Sequence, residues 1–237
     1  MNAVWKREMQ SYFLTPVGYV FMGVFLALSG LMFYMMNLAP RSSDVLLLLG
    51  QLSFIWMLLS PVLTMRLLAE ERHQKTDQLL LTSPVPVAGV VLGKYLAAVA
   101  VMLLTVALTW VFVAVIALYG RVYPSELWVG YGGFILQGCA FLALDLFISG
   151  LCKSQVTAAV SAFGVNLTLW LIDLVAPQIS FAWAASILDF VSLYARYEPF
   201  LMGQLSWAAI AYYLAFIAFF VAASVYALDA RRWRENA

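Results

Sequence analysis

The chain has 237 residues, of which 65% are hydrophobic and 11% charged, with a formal net charge of +1. An ordinary soluble domain carries about 25% charged residues, and a water-bound fold of this size has too little interior to hide so much apolar surface. A free-standing water-soluble domain is therefore excluded, and part of the solvent is lipid.

Residues 4–14 read as an amphipathic helix lying on the membrane. Trp5, Met9, Tyr12 and Phe13 share one face, while Lys6, Arg7, Glu8 and Gln10 fill the other. That pattern suits the headgroup boundary; the plainer alternative is a frayed tail. The first span runs over 16–37 and starts at Pro16, a residue tolerated in a first helical turn. Gly23, Ala27 and Gly30 follow at spacings of four and three, which permits a close helix approach in lipid, though such spacing is common by chance. The second span, 45–65, contains Pro61 and is expected to kink near its end. Spans at 90–119, 127–151, 156–176 and 207–228 follow, each meeting the requirement of about 20 apolar residues. Between the last two, 178–206 is too interrupted to cross. It reads as one or two short interfacial helices, with a seventh span as the alternative. The expected fold is an all-α integral membrane domain of six transmembrane helices, with an interfacial N-terminal helix and short outer helices before the last span.

Orientation follows from the basic residues. Six spans place Lys6, Arg7, Arg66, Arg72, Lys75, Lys94, Lys153, Arg231, Arg232 and Arg234 on one side and Arg41, Arg121 and Arg196 on the other. Lys and Arg concentrate on the cytoplasmic side, so both termini and the loop 66–89 are expected in the cytoplasm of a plasma-membrane protein. A seventh span would spoil that agreement.

The loop concentrates charge. Residues 70–78 are polar without a break, and Glu71 and Lys75 form a favourable i, i+4 pair. Leu79, Leu80 and Leu81 follow, and Ser83-Pro84-Val85-Pro86 ends any helix there. This stretch reads as a short helix with a leucine edge expected toward the spans and a charged edge toward water. A bare solvated connector would need fewer residues. His73, the only histidine, reads as solvated rather than as a pH sensor.

The run Glu70-Glu71, Thr76, Leu79-Leu80-Leu81, Ser83-Pro84 and Gly93-Lys94 resembles the signature of type 2 ABC transporter permeases, closest to the gliding-motility branch. Lys75-Thr76-Asp77-Gln78 stands where that pattern has Gly-Thr-x-Glu. The resemblance implies that two such subunits pair, and that each presents a cytoplasmic coupling helix to a separate ATP-binding subunit. Glu70, Glu71, Arg72, Lys75, Thr76, Leu79 and Leu80 would carry that coupling, with ATP and Mg held by the partner. It further implies export of an unidentified substrate and, for the gliding branch, an accessory subunit with an extracytoplasmic domain.

The chain has no G-x-x-x-x-G-K-[ST] run, no HExxH or GxSxG, and no clustered His or Cys. An ATP site, a catalytic site and a metal site on this chain are therefore not expected, and scattered basic residues do not suit nucleic acid. Cys139 and Cys152 read as small buried hydrophobes. Among polar residues inside the spans, Asp145 and Gln137 lie in the fourth and Asn166 and Asp173 in the fifth. Charge at the bilayer centre marks function, but Asp145 lies within two turns of the cytoplasmic end and Asp173 within about one of the outer end. Structural hydrogen bonding is favoured over substrate contact for both. Two other readings stay open: an ion-driven secondary transporter, though no repeat or midplane charge pair supports it, and a membrane scaffold that recruits a cytoplasmic partner without transport.

Overall fold

The computed structural model describes residues 2–70, 86–175 and 192–235, with side chains over 4–70, 86–172 and 192–230. Among these residues the elements are helical. They are α1 (Asn2–Leu14), α2 (Pro16–Phe33, continued by a π-turn Tyr34–Leu38), α3 (Val45–Thr64), α4 (Val87–Tyr119), α5 (Pro124–Leu151), α6 (Gln155–Val175), the single turn α7 (Glu198–Leu201) and α8 (Trp207–Glu235). Six of them are long and apolar enough to cross a membrane: α2 with its π-turn, α3, α4, α5, α6 and α8. The fold is thus an all-helical, multi-pass membrane domain.

Local signals set several boundaries. Pro16 and Pro124 each stand in the first turn of a helix, where a missing N–H costs nothing. Asp44 caps α3 by accepting from the Leu47 N–H at 3.0 Å. At the end of α2, Asn37 Nδ2 donates to the Ser42 and Asp44 carbonyls at 3.2 and 2.9 Å, closing the link to α3.

α5 is the most buried of the spans, and α6 and α8 are the least covered. α5 therefore forms the axis, with α3 and α8 against it. Trp56 of α3, 1% exposed, sits at the centre of the packing. Its ring meets the edges or faces of Phe21 and Phe25 of α2 at 5.6 and 5.5 Å and Phe134 of α5 at 6.3 Å, arrangements aromatic pairs favour. At Gly133 of α5 the Phe200 ring of α7 lies where a Cβ would stand, so a bare backbone is what lets α7 seat.

The small-residue stripe of α2 is not used this way. Among the described residues, no atom beyond the glycine's chain neighbours and its own helix backbone comes within 4 Å of a Cβ built at Gly23 or Gly30, and Gly23 and Ala27 are exposed. The reason is that Phe21, Phe25, Ser29 and Phe33, recurring every four residues, form the buried face instead.

Candidate functional site

α3 and α5 run in the same direction, and their polar side chains meet in register. Ser53 Oγ donates to Gln137 Oε1 at 2.6 Å, Ser60 Oγ to Asp145 Oδ2 at 2.6 Å, and Ser149 Oγ to the Met65 carbonyl at 3.3 Å. The sequence offset across the seam is 84, 85 and 84 residues, so neither helix slips past the other. Successive contacts lie about two turns, then about one turn, apart along helices that rise about 1.5 Å per residue. In lipid each such group needs a protein partner, which gives these contacts a role in fixing register as well as stability.

The middle contact is a node with a backbone cause. Pro61 has no N–H to give to the Met57 carbonyl four residues earlier. Asn166 of α6 takes its place, with Nδ2 3.3 Å from Met57 O. The same Nδ2 lies 3.0 Å from Asp145 Oδ1. Because both neighbours are acceptors, the amide nitrogen must face them. Asp145 is 0% and Asn166 1% exposed. Each carboxylate oxygen of Asp145 accepts one bond, and among the described residues no cation pairs with it. Asn166 thus joins the carbonyl that the proline released to Asp145, and three helices meet at this node. The structure brings Asp145 and Asn166 together; the side chain of Asp173 lies outside the described residues.

A second polar assembly lies where α3 gives way to the loop. The last carbonyls of a helix have no partner within it. Here they are collected by side chains from three other elements. Tyr12 of α1 donates to Leu63 O at 2.8 Å, Ser149 of α5 to Met65 O, and Lys94 of α4 to Leu67 O. Ser149 Oγ also accepts from the N–H groups of Leu68 and Ala69 at 3.4 and 3.3 Å. Lys94, 1% exposed, reaches Glu8 of α1 at 3.2 Å as well. Arg66 pairs with Glu70 at 2.8 Å and donates to Thr15 Oγ1 at 3.3 Å. Burial, with the Glu8 charge adding to it, pushes the Tyr12 phenol well above its ordinary range, so it stays protonated as a donor. The chain leaving α3 and the chain entering α4 are therefore tied to each other through Lys94, and both are tied to α1. Of the loop residues singled out by sequence, Glu70 is in this assembly. Glu71, Arg72, Lys75, Thr76, Leu79 and Leu80 lie outside the described residues.

Residues 19–233 match the profile of the family described as ABC-2 family transporter protein. The chain belongs to the ABC-2 transporter family. A search of curated proteins found no match. An ABC-2 permease is the membrane component of an ABC transporter, and membership implies an ATP-binding partner in that complex.

In this permease, sequence reasoning missed Ser53 and Ser60 as partners of Gln137 and Asp145, and Ser149 as a partner of the backbone that follows α3. The signal was present: Ser53 and Ser60 stand seven apart on one face of α3, and Pro61 marks a carbonyl in need of a donor. Lys94 was read as one more basic residue at the membrane edge. Its burial had no signature beyond its place after an apolar turn.

Proposed function

We propose that this permease is driven by a separate ATP-binding subunit that engages the loop 66–94, and that it exports its substrate as a dimer. Both termini and the loop lie on the cytoplasmic side of the plasma membrane, where ten of the thirteen basic residues fall. ATP and Mg are held by the partner; Glu70, Glu71, Arg72, Lys75, Thr76, Leu79 and Leu80 form the docking surface. The single domain 1–237 supplies an interfacial helix at 4–14, spans near 16–37, 45–65, 90–119, 127–151, 156–176 and 207–228, and the coupling loop 66–89. The gliding-motility branch remains the nearest resemblance, and with it an accessory subunit bearing an extracytoplasmic domain.

The observation that supports this reading is the anchoring of the loop. Lys94 joins its two limbs through Leu67 O and reaches α1 through Glu8. A mere connector has no use for such a clamp. A lever does, because force applied to an untethered loop is lost in bending. Charge reversal of Glu71 and Arg72 together tests it. Affinity capture of the tagged permease from native membranes is expected to recover an ABC ATPase with the wild type and much less with the variant. Substrate-stimulated ATP hydrolysis in proteoliposomes should fall with it. Equal recovery and equal stimulation would remove the assignment. A captured partner without ATPase activity would favour the scaffold reading.

A further inference from the structure

The end of the bundle away from the loop holds a cavity of about 660 Å³, within the range of about 300–1,000 Å³ usual for small-ligand sites. It lies between the start of α3, the link from α4 to α5, the first turn of α5, and α7. Its lining is mixed in a particular way. Aliphatic side chains of α3 and α7 and the rings of Tyr123 and Tyr194 supply the walls. Arg121, Glu126 and Glu198 stand among them.

These three charges are not used by the fold. Among the described residues, none of their side chains makes an ion pair or a hydrogen bond. Asp44, the remaining charged group in the lining, is engaged as the cap of α3. Glu126 lies against Gly203, its Cγ 2.9 Å from where a Cβ there would stand, and Gly203 has a φ of +69°. That left-handed backbone suits glycine, which leaves the space the glutamate occupies.

Opposite charges left unpaired in one partly apolar cavity constrain what can fill it. A simple anion would satisfy Arg121 and face two carboxylates. A simple cation would satisfy the carboxylates and face the guanidinium. A ligand with both signs meets all three, and tyrosine faces suit an ammonium group. The walls and the position at the membrane boundary require an apolar tail. We infer that the cavity binds a zwitterionic amphiphile, with its anionic group against Arg121 and its ammonium between Glu126 and Glu198. On the orientation proposed above, it opens toward the outer face. The inference borrows only that orientation from the proposed function.

Calorimetric titration of the purified full chain in dodecyl maltoside tests it. No ATPase is present, so failure here is distinguishable from failure of the coupling proposal. Dihexanoyl phosphatidylethanolamine is expected to bind saturably. R121Q and the double variant E126Q/E198Q should each weaken it at least about fivefold, the scale of partly solvated charge contacts. Both changes are at exposed positions, so the melting temperature should be unchanged. Dihexanoyl phosphatidylglycerol should bind at least about fivefold more weakly, since it has no ammonium. Free O-phosphoethanolamine should show no saturable heat, since it has no tail. Equal affinity of the variants, equal affinity for phosphatidylglycerol, or tight binding of free O-phosphoethanolamine would each overturn the inference.

Discussion

Substituting Lys94 by Met keeps most of the side-chain stem and deletes the ammonium. Two acceptors lose a donor. Leu67 O is left in a buried position, and an unsatisfied buried acceptor costs about 1–3 kcal/mol. Glu8 loses less: its side chain is 13% exposed and it keeps Arg7 at 2.8 Å. Against these losses, a buried cation no longer has to be desolvated. Where only one partner is removed the penalty side dominates, and a net cost of about 2 kcal/mol is expected. At about 1.4 kcal/mol per factor of ten, local opening should become about thirty times more frequent. Hydrogen exchange read by mass spectrometry in micelles measures this. Peptides covering 4–14 and 86–95 should exchange faster by about that factor, while α8 peptides from 207 onward stay unchanged. Lys6→Met, at an exposed site on α1, the helix that carries Glu8, is the control. Exchange in K94M within about twofold of wild type, or a uniform change along the chain, would refute the view that Lys94 clamps the loop to α1.

Asp145→Leu should lower thermal stability by about 2–4 kcal/mol, because it removes the acceptor of the Ser60 hydroxyl and of one Asn166 amide hydrogen in a buried site. Asp145→Asn, which keeps an acceptor for one of them, should cost less than half of that, both measured by melting in detergent. Pro61→Ala restores a donor to Met57 O. In its presence Asn166→Ala should be about 1 kcal/mol less harmful than alone, a non-additivity that a double-mutant cycle reads directly. Gly133→Val should cost about 1–3 kcal/mol by pushing Phe200 out of its seat, visible as lowered protection of the amides at 197–203.

The fold was legible because it is written in runs of hydrophobicity, which depend on composition more than on contacts. Six apolar segments of spanning length, and prolines at two helix starts, survive any arrangement of the bundle. The polar node was half legible. Asp145 and Asn166 are conspicuous in an apolar background, but the serines that answer them are common in membrane helices and carry no such contrast. What made Ser60 matter is the relative rotation and parallel register of α3 and α5, which no local pattern encodes. The glycine stripe of α2 goes unused within the chain for the matching reason: small residues permit close approach without requiring it, and the periodic Phe21, Phe25 and Phe33 decided which face turned inward.

The two polar assemblies are linked by a single helix segment, and this gives the proposed lever a place to act. From Ser60 to Leu67, the end of α3 and the turn after it carry Pro61 at one end and the clamped carbonyls at the other. Just before that stretch the Met57 carbonyl, which would pair with residue 61, is held by a side chain from α6. A backbone bond inside a helix is lost when the helix bends, whereas a side-chain amide can follow its acceptor by rotating. The segment below Pro61 can therefore tilt together with the loop and the end of α5 bound to it through Ser149, while the Ser53–Gln137 contact above it holds α3 in register with α5. The same reasoning makes P61A informative in transport: a continuous helix should be more stable yet transmit less, so its ATP hydrolysis should respond more weakly to substrate. A P61A permease that is both more stable and fully coupled would show that movement bypasses α3.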